Sequence, residues 1–228
     1  MFDSFTLVAA TADLDDEPAA RGVADLVEFR MDMADSPLEQ LAAYDGDLPL
    51  LVTNRPAWEG GEVEPGVERL EALATALGND HVAAVDLELA ALRRGGVLGQ
   101  AADAVAEAAE TLGVDVVVSV HDFRGTPSER AMASLLTTAA ALGDVGKLAV
   151  TAEDRSDALA LLAATHTADA TGERVATMAM GEAGQHTRAV APVYGSRIGY
   201  APVDAADATA PGQYDLETLA RLVADLGA

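Results

Sequence analysis

Short apolar, β-branched runs recur at fairly even spacing along the chain, separated by longer stretches rich in alanine and leucine. TLVAA (6–10), DLVEFR (25–30), LLVTNR (50–55) and VAAVDLEL (82–89) read as the first four strands. VDVVVSV (114–120), VGKLAV (145–150), RVATMAM (174–180) and VYGSRIG (193–199) read as the next four. Segments 66–78, 98–112, 128–142, 154–168 and 215–227 read as helices. Short strands alternating with helices predict βαβ units and a parallel sheet. About eight such units without a linker or a break in composition predict an α/β fold, a single-domain (β/α)8 TIM barrel over residues 1–228. A doubly wound open sheet is the alternative, but no GxGxxG follows the first strand.

Helix punctuation fits this placement. Thr126-Pro127-Ser128 offers a cap and an early proline to the 128–142 segment. Gly143 stands where a helix stop belongs. Asp154 is placed to cap the next helix.

Composition narrows the class. Half of the 228 residues are apolar, enough for one large core. Cysteine is absent, which excludes disulfides and thiolate metal sites. No apolar run approaches the ~20 residues of a membrane span, and the first residues lack a signal-peptide pattern. These features predict a cytoplasmic protein with no membrane partner. Fourteen basic against 38 acidic residues give a net charge of −24. A scattered acidic surface repels phosphate backbones, so no nucleic-acid partner is expected. It also suits a salt-rich cytoplasm, where ions screen self-repulsion.

The basic residues carry more information. Thirteen are arginine and one is lysine, Lys147. Guanidinium stays protonated and cannot serve as an amine nucleophile, whereas lysine can. Lys147 sits inside an apolar predicted strand, where a charged amine is costly unless paired or neutralised. Desolvation and nearby cations favour the neutral amine, which attacks ketones to form imines. The competing reading is a structural lysine paired with Glu28, Asp86 or Glu88. His121 ends the preceding strand, which makes it a barrel neighbour. An imine beside a histidine suits proton abstraction α to a ketone.

Other polar residues cluster at the C-terminal ends of predicted strands, where barrels of this kind carry their sites. Glu28 and Arg30 share one face of the second strand. Arg55 closes the third, Asp86 and Glu88 lie late in the fourth, and Arg188 follows the seventh. Asp86 and Glu88 read first as structural carboxylates held by arginines. Met178 and Met180 read as core filler, and His81, His166 and His186 as ordinary histidines.

These residues, in order, resemble the type I 3-dehydroquinate dehydratase family, Schiff-base enzymes of the shikimate pathway. The similarity runs through VEFRMD (27–32), TNRPAWEGG (53–61), VDLEL (85–89), SVHDFRGTP (119–127), GDVGKLAV (143–150), MGEAGQHTR (180–188), YGS (194–196) and APGQ (210–213). It covers nearly the whole chain. The acidic composition marks a member from a halophilic archaeon. The resemblance implies an imine between Lys147 and the substrate 3-dehydroquinate, with His121 as acid and base and Glu59 orienting it. It implies that Arg188 holds the substrate carboxylate, and that Glu28, Arg30, Arg55, Thr209 and Gln213 bind the rest. Tyr200 falls where the family has an aromatic over the substrate, and the loop before Gln213 is a candidate lid. The resemblance implies no cofactor and no metal, and a homodimer. The first strand ends in Ala10 and Thr11 where the family often has serine. A class I aldolase on the same barrel and a non-catalytic carboxylate-binding barrel are the other readings of the residues. Asp204 and Asp207 suit a sugar phosphate poorly, and a binding barrel leaves the sole lysine unexplained.

Overall fold

Eight parallel strands form one sheet in the computed structural model, which describes residues 1–203 and 212–227. They are Thr6–Thr11 (β1), Leu26–Arg30 (β2), Leu50–Thr53 (β3), Val82–Glu88 (β4), Asp115–Asp122 (β5), Val145–Thr151 (β6), Val175–Met180 (β7) and Ile198–Pro202 (β8). Each pairs with its sequence neighbour from β1 to β7, and β8 returns to pair with β1. A bridge between Val175 and Ser196 brings the β7 and β8 edges together. The result is a nearly closed barrel.

Among the described residues, nine α-helical segments surround the strands. Four are short: Glu17–Ala20 (α1), Pro37–Ala43 (α2), Leu89–Leu92 (α4) and Thr187–Val190 (α8). The longer ones are Glu68–Ala76 (α3), Gly96–Leu112 (α5), Glu129–Ala140 (α6), Arg155–Ala170 (α7) and Leu216–Leu226 (α9).

Period-two alternation sorts each strand between two surroundings. Val27, Phe29, Val52, Val85, Leu87 and Val118 face outward into the layer packed by the helices. Leu148, Val150, Val175 and Ala179 do the same under α6 and α7. Inward-facing Val8, Leu26, Leu51, Ala84, Val117, Val145 and Ile198 fill the interior near the strand starts, with Phe2 packed among them. Each large apolar side chain buried in this way contributes about 2 kcal/mol. Both faces are covered, so the strands read as nearly continuous apolar runs. One turn further along, the inward positions become Glu28, Thr53, Asp86, Ser119 and Lys147, all buried. The interior therefore changes from apolar to charged along its axis.

The eighth strand lies later than the 193–199 expected. Ala191–Tyr194 is a 3-10 turn with Pro192 at its start, ended by Gly195 at φ 101°. Val193 and Tyr194 are exposed, so their β propensity is overridden by proline and glycine on either side. Strand three ends at Thr53, not at Arg55: Asn54 bonds the Arg69 carbonyl and Arg55 reaches Ser119 and Asp86 instead of continuing the ladder. Gly143 is not the stop of α6, whose cap is Ala141. Glycine is needed there for another reason: a Cβ would lie 2.7 Å from the Val116 carbonyl oxygen. The capping expectations hold, since Ser128 accepts from the Ala131 amide and Asp154 from the Ser156 and Asp157 amides.

Candidate active site

The charged layer opens toward the C-terminal ends of the strands, into a pocket that Lys147 enters from β6. Its Nζ lies 3.2 Å from Asp86 Oδ2 and 3.8 Å from Glu28 Oε1. On another side it lies 4.2 Å from the centroid of the Tyr200 ring, a cation–π contact. The lysine is thus paired with two of the three carboxylates proposed for it, and it lines the pocket as well.

Asp86 anchors this layer. Burial alone raises its pKa, but Arg55 at 2.8 Å, Lys147, His121 and a 2.6 Å hydrogen bond from Ser119 hold it well below the usual carboxylate range. Arg55 comes from the loop after β3. It donates to Ser119 Oγ at 2.6 Å and also faces Glu88 at 3.4 Å and Glu59 at 3.9 Å. Burial disfavours its charge, yet Asp86, Glu88, Glu59 and Glu28 together raise its pKa. Behind it, Arg69 on α3 meets Glu88 at 2.7 Å and donates to the Asn54 carbonyl at 3.2 Å. Asn54 returns a hydrogen bond to the Arg69 carbonyl at 3.0 Å. Asp86 and Glu88 are therefore structural carboxylates held by arginines, and Asp86 also holds the lysine.

His121 and Glu59 form the next level. Burial pushes the His121 imidazole well below its ordinary pKa, and Arg55 and Lys147 push it further. The uncharged imidazole is the favoured form. Glu59 reaches it from a tight turn, Ala57–Glu59, that two glycines close. Gly60 sits at φ 81°, and a Cβ on Gly61 would lie 1.9 Å from the Arg55 carbonyl oxygen. Glu59 Oε1 accepts from the His121 backbone amide at 2.8 Å and stands 3.7 Å from Nδ1. Burial raises the Glu59 pKa to about 7, against the pull of Arg55 and the His121 amide.

Arg188 and Arg30 differ in how they are held. Arg30 makes a two-point pair with Asp32 at 2.9 and 2.7 Å. Arg188 on α8 is only 4% exposed, and its Nε and Nη2 have no hydrogen-bond partner among the described residues. Burial lowers its pKa to about 10, so it stays charged at neutral pH. A buried cation of this kind calls for an anionic ligand, and its fork fits a carboxylate.

Glu28, Arg30, Arg55, Glu59, His121, Lys147, Arg188 and Gln213 all line this one pocket. Met178 and Met180 form an apolar wall of it rather than mere filler. Thr209 and the Asp204–Asp207 stretch lie outside the described residues. Thr11 is turned away, with its hydroxyl bonded to Asp16 at 2.8 Å. Thr53, Ser119 and Arg69, none of them singled out by the sequence, hold the charged layer together. The first two share an inward strand face with Leu51 and His121, so alternation carries a signal for them. Arg69 had none, because it reaches the site from a helix.

Residues 5–227 match the family model described as type I 3-dehydroquinase. A 3-dehydroquinate dehydratase of Haloarcula marismortui is 63% identical over 225 residues, covering 99% of this chain and 97% of that one. The corresponding protein of Halobacterium salinarum is 54% identical over 225 residues, covering 99% of each. The crystal structure of 3-dehydroquinate dehydratase from Geobacillus kaustophilus superposes with a TM-score of 0.85 at 27% identity, covering 99% of this chain and 92% of that one. On sequence and fold together, the chain belongs to the type I 3-dehydroquinase family.

Proposed function

We propose that this chain dehydrates 3-dehydroquinate to 3-dehydroshikimate and water through an imine on Lys147, as a step of the shikimate pathway. The observation that carries this reading is the placement around a single pocket of one amine, one neutral imidazole and a guanidinium whose Nε and Nη2 have no partner among the described residues. Arg188 takes the substrate carboxylate in two hydrogen bonds and fixes the ring. Lys147 passes a proton to His121 and attacks the ketone carbon, and His121 returns that proton to the carbinolamine hydroxyl, which leaves as water to give a protonated imine. Asp86, held as a carboxylate, lies beside the new cation. His121 removes a proton from the carbon next to the imine, and the electron pair is stored as an enamine. The pair then returns to expel the neighbouring hydroxyl, which leaves as water with the proton His121 carries. One histidine serving both transfers gives elimination from one face, a syn course. Hydrolysis of the imine releases product and restores the amine.

Glu59 supports this cycle by facing Nδ1, which leaves Nε2 as the working base. Glu28, Arg30, Arg55, Gln213 and Thr209 complete substrate binding in this reading. A homodimer in a salt-rich cytoplasm belongs to the same proposal, by the family resemblance and the acidic composition.

The test is twofold. Absorbance of the conjugated enone reports turnover of 3-dehydroquinate. Borohydride added during turnover should leave a mass adduct on Lys147 in the wild type and none in Lys147→Arg, whose guanidinium cannot form an imine. In His121→Ala the adduct should still form while elimination slows by orders of magnitude. Turnover without any trapped adduct overturns the imine route.

A further inference from the structure

Tyr200 presents a feature that the proposed reaction does not use. Its residue is 4% exposed, its ring covers the Lys147 amine, and it lines the pocket from β8. Its hydroxyl is buried without a hydrogen-bond partner among the described residues. Buried hydroxyls are as a rule bonded, because an unmade bond forfeits the solvation they had in water. The carboxylates near it, Glu28 and Asp86, make their contacts to other groups. Glu28 Oε1 accepts from Thr53 at 2.9 Å, and Asp86 accepts from Ser119 and pairs with Arg55 and Lys147.

A ring alone would suffice to cover the amine, and phenylalanine would supply it without an orphaned polar atom. Burial, and then the Glu28 and Asp86 carboxylates, raise the Tyr200 pKa well above its ordinary value. The group is therefore a permanent O–H donor rather than a base. We infer that the Tyr200 hydroxyl is a substrate-binding donor, which hydrogen-bonds a hydroxyl or carbonyl oxygen of the ligand beside the Lys147 amine. The donor is completed only when the pocket is filled, so it favours ligands with an oxygen there over analogues without one.

This inference rests on the dehydratase reading, and its test separates the two. Tyr200→Phe keeps the ring over Lys147 and removes only the hydroxyl. Steady-state turnover of 3-dehydroquinate and thermal unfolding of the unliganded chain are compared with the wild type. The expected result is a fall in kcat/KM of about 5-fold, the size of one neutral hydrogen bond, with a melting temperature unchanged or higher. An unchanged kcat/KM overturns the donor role and leaves the dehydratase reading intact. A lowered melting temperature also overturns it, because the hydroxyl would then be serving the unliganded fold. A wild-type chain that does not turn over 3-dehydroquinate overturns the dehydratase reading itself.

Discussion

Glu59 touches His121 twice: one carboxylate oxygen accepts the backbone amide at 2.8 Å and lies 3.7 Å from Nδ1 of the same residue. The backbone contact fixes the acid, and the ring can then turn onto it. Glu59→Gln keeps an acceptor for the amide and removes the charge. Its folded pKa of about 7 lies above the ordinary 4.5. The folded state therefore binds more protons across that window, and stability falls as pH rises through it. Above pH 7 the buried charge costs on the order of 3 kcal/mol. Thermal unfolding at pH 8 should show the glutamine variant more stable by several degrees. Its kcat/KM should fall roughly 10- to 100-fold and lose a rising limb near pH 7 that the wild type shows. A variant with wild-type kinetics would remove Glu59 from the mechanism.

Arg188 invites the opposite experiment, because its Nε and Nη2 have no partner among the described residues. Its pKa is lowered from 12.5 to about 10 by burial. The cost is fully present below pH 10 and fades as pH rises toward 12.5, where the unfolded group also loses its proton. Arg188→Met should raise the melting temperature of the unliganded chain at pH 7 and abolish the further rise that the substrate's product gives the wild type. Retained stabilisation by the product in the variant would place the carboxylate elsewhere.

Arg69 has no reach into the pocket, but Glu88 depends on it at 2.7 Å. Removing Arg69 leaves the buried Glu88 carboxylate to Arg55 alone, at 3.4 Å, a loss of about 3 kcal/mol, at the low end for breaking a buried pair. For a chain of this length that amounts to roughly 10 °C in melting temperature. Arg69→Met should show that loss, and Arg69→Met with Glu88→Gln should recover much of it. Equal stability of the two variants would contradict the pairing.

The net charge of −24 predicts a strong response to salt. Raising ionic strength from 0.1 to 1 M shortens the screening length from about 10 to about 3 Å, which relieves repulsion among scattered carboxylates. The melting temperature should climb by several degrees over that range. A flat or falling profile would show that the acidic surface does not limit stability.

Much of this molecule is legible in its sequence because two periods carry it. Strands β1 to β7 stand out as apolar runs, since both faces are buried and little polar signal interrupts them. Lys147 and His121 stand out because they are the interruptions. What composition and alternation could not give was pairing across distance. Asp86 and Glu88 are two residues apart on one strand, yet Asp86 faces the lysine and Glu88 faces a helix arginine. Only the barrel's closure assigns them. The displaced eighth strand failed for a local reason, because Val193 and Tyr194 favour strands but sit between Pro192 and Gly195. Arg69 was silent because a helix residue that reaches inward carries no special spacing.

A single lysine at 4% exposure also makes this chain an unusual analytical object. Amine-directed chemistry has only two addresses here, and the other, the N-terminal amine, is at the surface and paired with Asp115. A small carbonyl compound and a hydride donor would therefore count filled pockets as the increment that peptide mapping assigns to Lys147, apart from the one at the exposed N-terminal amine. Ligands could be ranked by how well they protect that increment, with no chromophore and no coupled assay.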